Sequence, residues 1–297
     1  MTGPEPGSGP TVLRILLGSQ LRQLREQKKI SREDAGYTIR ASESKISRME
    51  LGRVGFKERD VADLLILYGV TKPEDRDALL RLVDEANAPG WWHRYNDVLP
   101  GWFTAYVGLE AAATLIRTYE VQFIHGLLQT EDYARAVMEV GVERLPRDEI
   151  SQRIKLRRTR QQILTKQQPV RFWGVIDEAA LRRPIGSRDV MRAQLEHLIT
   201  LTKSPNVTLQ IIPFGAGGHA ASAGAFTILR FSDEHMPDVV YTEQVTSALY
   251  LDKRDDVDRY LQVIERLCME ADPPSNTVDT LTDILTETAA GRASPEG

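Results

Sequence analysis

The stretch Ser42-Glu-Ser-Lys-Ile-Ser-Arg-Met-Glu-Leu51 has the residue types and spacing for recognition by hydrogen bonds. At about 100° per residue, Ile46 and Met49 share one helical face and are expected to bury it. Ser44 and Arg48 then point almost directly away, with Lys45 and Ser47 on the flanks. Short side chains near the start of such a helix permit close approach to a groove. Arg48 can offer a bidentate fork to the O6 and N7 acceptors of guanine. This is the chemistry of reading base edges, not of breaking bonds.

A reading helix needs neighbours to hold it, and the flanking sequence supplies them. Leu13, Leu17, Leu21 and Leu24 recur at helical spacing and predict a first helix with one apolar face. Ser31 with Asp34 three residues on forms a capping box that opens a second helix. After a break at Thr38 to Ala41, Ser42 is placed to cap the third helix, and Gly52 is a natural stop. Val61, Leu64, Leu65 and Tyr68 mark a fourth helix. Leu79, Leu80 and Val83 mark a fifth, after a start at Thr71-Lys-Pro-Glu74.

Charge follows the same division. Thr11 to Arg59 holds 12 Lys/Arg against 6 Asp/Glu, whereas Asp60 to Ala88 holds 3 against 7. A basic segment beside an acidic one suits a single DNA-facing surface, although solvated charges could produce the same local imbalance.

Leu21-Arg-Gln-Leu-Arg-Glu26, Ile30-Ser-Arg-Glu-Asp-Ala35 and Ser42 to Glu50 followed by Gly52-Arg53 together resemble the XRE (lambda-repressor-like) helix-turn-helix family. The resemblance implies that Glu43, Ser44 and Arg48 face bases in a double-stranded operator. It implies that Ser31, Arg32, Lys45 and Arg53 meet the phosphate backbone. Where relatives often carry Gln, this chain has Arg32, which implies a stronger but less directional phosphate contact. Glu43 would either accept from cytosine N4 or repel phosphates and sharpen discrimination. The match also implies that Arg25 and Glu50 pair between the first and third helices. A helical bundle that binds protein instead of DNA is the plain alternative.

Ala88-Pro89-Gly90 marks the expected end of this all-α domain, giving residues 11–88. The aromatic segment at 89–106 holds Trp91, Trp92, Tyr95, Trp102, Phe103 and Tyr106. It either docks the second domain against the first or against a partner chain, or begins the second core. From residue 107 to 271 the pattern alternates. Helices are expected at 108–119, 130–140, 147–166, 187–202 and 255–271, and strands at 170–176, 207–212, 226–231, 239–242 and near 250–251. This predicts an α+β domain with a small mixed sheet. The remaining residues, 272–297, form a tail with one helix near 276–288 and a disordered end.

No catalytic, metal or cofactor constellation is expected from spacing in the second domain. His125, His197, His219 and His235 are scattered. Asp177-Glu178 follows a strand, as a catalytic pair would, but reads more simply as a capped helix start. Phe214-Gly-Ala-Gly-Gly-His219 lacks the Lys and Ser/Thr of a phosphate loop and reads as a turn. Residues Ser151 to Gln168 hold 6 basic residues and no acid, either a solvated helix face or a surface for phosphate or a partner.

Phe123 to Tyr133, Arg157 to Gln161, Asp177 to Gly186, Ile212-Pro-Phe214 and Gly224 to Phe231 resemble the C-terminal domain of actinobacterial XRE regulators described as antitoxin-like. That resemblance implies control by a small protein partner encoded nearby. His125 stands where relatives usually carry Pro, which implies a turn that is looser, or pH-sensitive, at this point.

The lone Cys268 excludes an intramolecular disulfide and sits in an apolar-periodic stretch, as a small core residue or, less simply, a catalytic thiol. The Gly/Pro-rich opening, 1–10, is expected to be disordered and is not a signal or transit peptide. No window approaches the ~18 apolar residues of a membrane span. These features point to a cytoplasmic homodimer that regulates transcription, since two half-sites supply the surface that one module lacks. A regulator sensing a small molecule through a pocket in the second domain is the alternative. An enzyme would need titratable groups converging around Asp177, Glu178 and His219, which spacing gives little reason to expect.

Overall fold

Leucines at helical spacing set the first helix, α1 (Pro10–Gln27), whose Leu13, Leu17 and Leu21 enter the core of the N-terminal unit. The computed structural model describes residues 10–141, 145–221, 224–232 and 236–290. The disorder expected at the two chain ends, Pro10 apart, and His235 lie outside the described residues. The helices α2 (Arg32–Thr38), α3 (Glu43–Glu50), α4 (Glu58–Leu67) and α5 (Pro73–Asn87) follow as the caps and apolar periods predict. Ser31 and Ser42 accept hydrogen bonds from the backbones of Asp34 and Lys45, at 3.0 and 3.3 Å. Pro73 opens α5, where its missing N–H costs nothing.

The aromatic segment, residues 97–99 apart, belongs to this N-terminal unit, which continues over Pro100–Ala112. Trp91–Tyr95 form a short 3-10 turn, and α6 (Gly101–Ala112) packs on α1. Trp92, Tyr95 and Tyr106 are buried there.

The helix expected at 108–119 is corrected by the structure. α6 ends at Ala112 and β1 (Leu115–Glu120) begins three residues later. Leu-Ile-Arg-Thr-Tyr-Glu carries both helical and strand signals. Long-range pairing decides for strand, because β1 lies between two partners. These are β2 (Arg171–Asp177), parallel to it, and β4 (Phe226–Arg230), antiparallel. β3 (Val207–Ile212) extends the parallel half, while β5 (Val239–Glu243) and β6 (Ala248–Leu251) continue as an antiparallel meander. Among the described residues the sheet order is β3-β2-β1-β4-β5-β6, a six-stranded mixed sheet in an α+β domain.

Helices α7 (Glu131–Glu139) and α8 (Arg147–Gln161) cross from β1 to β2, and α9 (Glu178–Arg182) and α10 (Arg188–Leu201) from β2 to β3. Two more, α11 (Arg254–Glu270) and α12 (Thr277–Ala290), complete the second unit. Alternate strand residues Tyr119, Val175, Ile212, Phe226, Ile228 and Val240 pack with Val257, Ile264 and Leu267 of α11. No helix among the described residues is long and apolar enough to cross a membrane.

Candidate nucleic-acid interface

The third helix presents the face that its sequence predicts. Ile46 and Met49 are each 1% exposed, while Glu43, Ser44 and Arg48 are exposed and Lys45 and Ser47 half-buried. The turn before it passes through Arg40 at φ +55, closed by the Ala41 N–H donating to Gly36 O at 2.8 Å. Two glycines permit this placement. Gly18 lets α1 cross the end of α3 so closely that a Cβ would lie 2.7 Å from the Glu50 carbonyl oxygen. Gly52, at φ +64, ends the helix in a conformation that L side chains rarely adopt.

Beneath this face lies an ionic hub. Glu50 is 5% and Arg25 7% exposed, and the Arg25 Nε and Nη2 donate to the two Glu50 carboxylate oxygens at 2.5 and 3.1 Å. Arg25 Nη1 also reaches Ile30 O at 2.8 Å. The hydrogen bond to Glu50 holds the Arg25 guanidinium above its usual range, outweighing burial. Arg32, expected over phosphate, is already engaged: its Nε donates to Glu50 at 3.0 Å. The hub therefore ties α1, α2 and α3 together at the C-terminal end of the reading helix.

A second ionic tie was not visible in the sequence. Lys45 Nζ donates to Asp60 Oδ2 at 2.8 Å, and the Asp60 side chain is only 3% exposed. Burial works to raise the Asp60 carboxyl, but Lys45 and Arg59 outweigh it and hold the group below its ordinary range. No local pattern could have found this pair, since its members lie 15 residues apart on two successive helices. Of the other expected phosphate contacts, Ser31 donates its hydroxyl to Asp34 Oδ2 at 2.7 Å within the capping box, and Arg53 is exposed.

This geometry defines a helix-turn-helix protein, a class of DNA-binding regulators, and residues 16–79 match the family described as Helix-turn-helix domain. Residues 103–283 match the family described as Domain of unknown function (DUF5753), to which the chain belongs. No curated protein and no solved structure matches the chain.

The second unit gathers polar groups at the carboxyl ends of its parallel strands. Asp177 caps α9, accepting from Ala179 N at 2.8 Å, as the capped-start reading predicts. Contrary to the expectation from spacing, His219 meets both Tyr119 Oη at 3.0 Å and Asp177 Oδ2 at 3.4 Å. The Ala221 N–H donates to His219 Nδ1 at 3.3 Å, which assigns the ring proton to Nε2, facing those oxygens. Burial raises the Tyr119 phenol above its ordinary range, and the trio joins the end of the Gly-rich turn to β1 and β2. Glu178 holds the same turn from its other end, accepting from Phe214 N at 2.7 Å. Burial likewise pushes the Cys268 thiol up.

The basic helix is less solvated than its composition suggests. Arg160 is buried, and Arg157 donates to Gln129 Oε1, in the turn of residues 124–130. His125 keeps that turn tight without proline. Its φ of −54 lies within proline's own range, and its Nδ1 accepts from Leu127 N at 3.2 Å.

Glu120, at the end of β1, gives this unit a pH dependence. Burial pushes its carboxyl up to about 8, with the Glu243 charge adding to the rise and the Thr118 hydroxyl, at 2.8 Å, opposing it. The folded chain thus keeps a proton that the unfolded chain releases near pH ~4.3. Stability is expected to fall as pH rises from about 4.3 to about 8 and to level off beyond. Glu120→Gln should flatten this dependence in thermal melts across the interval. Parallel curves for variant and wild type would show that Glu120 does not titrate there.

Proposed function

We propose that the protein is a sequence-specific transcriptional repressor of the XRE type. It acts as a cytoplasmic homodimer without catalytic activity, and its C-terminal domain receives a signal from a small protein partner, as in antitoxin-like actinobacterial regulators. The observation that supports this most directly is the outward face of α3, where Glu43, Ser44 and Arg48 stand exposed on a helix tied down at both ends. Arg32 reaches phosphate with the guanidinium nitrogens other than the Nε held by Glu50. Ser31 and Arg53 complete the backbone contacts.

A second reading, a ligand-sensing regulator, draws support from the convergence of Tyr119, Asp177 and His219 at the carboxyl ends of parallel strands, where open α/β sheets commonly bind ligands.

The test is selection of duplexes from a random library by the full chain, followed by binding across a salt series. Arg48→Ala is expected to cost about 1–3 kcal/mol and to relax preference at one base position. Arg53→Ala is expected to weaken all sequences alike and to flatten the salt dependence by about one counterion. Uniform weakening by Arg48→Ala would remove it from the base-reading set. Failure of the wild type to enrich any sequence would sink the proposed function.

A further inference from the structure

We propose that Lys45 and Asp60 form a clamp that sets the roll of α3 about its own axis. Asp60 is then a positioning residue for base recognition, and Lys45 a clamp residue instead of a phosphate ligand. The inference rests on the DNA-reading function proposed above. Its ground is the placement of the two ionic ties. The Arg25–Glu50–Arg32 hub fixes the last residue of α3, whereas Lys45 lies in its first turn, beside Ser44 and three residues before Arg48. Ile46 and Met49 anchor one face of α3 in the core, but without a tie at its first turn the helix can still roll slightly about that anchor. A roll of about 10° at an outer radius of ~5 Å carries a side chain about 1 Å, enough to miss a hydrogen bond in the groove.

Asp60 is suited to prevent this. It belongs to the first turn of α4, its side chain is almost wholly buried, and its Oδ2 accepts from Lys45 at 2.8 Å. A carboxylate so placed has little water to turn to, so releasing Lys45 would leave a buried charge with weak compensation. Arg59 approaches the other oxygen only at 3.4 Å and is itself 74% exposed. An ammonium neutralised in this way releases few counterions from DNA on binding, so Lys45 should add little to the salt dependence.

The test uses the full chain, the best 30-bp duplex (approximate length) that the wild type selects from a random library, and a scrambled duplex of the same composition. Asp60→Asn is expected to reduce the preference for the selected duplex by about tenfold, with no fall in the salt slope. Lys45→Met should do the same, and the double variant should lose no more than either single one, because both remove one interaction. Far-UV circular dichroism and melting establish that each variant is folded. Lys45→Arg, which keeps a cation on Asp60, should retain the preference and so serves as the variant least prone to unfolding. An undiminished preference in Asp60→Asn would overturn the clamp. So would a salt slope lowered by about one in Lys45→Met with preference intact, which would restore Lys45 as a phosphate ligand. If the wild type selects no sequence, the DNA-reading function itself fails, and the clamp with it.

Discussion

Replacing Glu50 by alanine is expected to lower the stability of the N-terminal unit by about 3–5 kcal/mol. The expectation follows from what stays behind. Arg25 is 7% exposed, and without Glu50 its guanidinium keeps, among the described residues, Ile30 O at 2.8 Å and a more distant Glu26 at 3.6 Å. A buried cation without a counter-charge costs far more than the modest net value of an intact pair. Against a total stability of roughly 5–15 kcal/mol for a domain, the loss would leave α1 to α3 marginally folded. Amide hydrogen exchange in these helices reads the effect for this unit alone, which a global melt of a two-unit chain does not. Glu50→Gln keeps the shape and removes the charge, so it should fall between wild type and alanine. A loss under about 1 kcal/mol in Glu50→Ala, with DNA affinity intact, would reduce the hub to a surface-type pair.

The second large effect is expected at Gln194, which is fully buried on α10. Its Nε2 donates to Leu128 O at 2.8 Å and its Oε1 accepts from Thr130 N at 2.7 Å, so one amide closes both sides of the turn before α7. Alanine leaves two backbone groups without these partners. At roughly 1–3 kcal/mol for each, the second unit should lose about 2–6 kcal/mol. Gln194→Met separates the causes, because it restores volume but no hydrogen bond. If polar satisfaction dominates, methionine should be nearly as damaging as alanine, and exchange at the Thr130 amide should accelerate in both. Recovery of most of the stability by methionine would show that packing, not hydrogen bonding, is what Gln194 supplies.

Both sites depend on partners distant in the chain, and they differ in how far the sequence announced them. The Arg25–Glu50 pair could be expected, because the helix-turn-helix resemblance fixes the relative positions of α1 and α3. Nothing comparable marks Gln194, whose partners lie 64 and 66 residues earlier.

What the sequence determined by itself was local. Capping hydroxyls at Ser31 and Ser42, a left-handed stop at Gly52 and apolar residues at helical spacing act within one or two turns. They fix α1 to α5 and therefore which side of α3 turns outward. Tertiary structure decided where local signals balanced or were silent. Leu115–Glu120 is a strand because β2 and β4 pair with it on either side, supplying backbone partners that helical propensity could not outweigh. Lys45 faces Asp60, and His219 faces Tyr119 and Asp177, because packing brings separate elements together. Ion pairs and buried hydrogen bonds act through a few ångströms of space and leave no periodic trace along the chain, so only the fold can specify them.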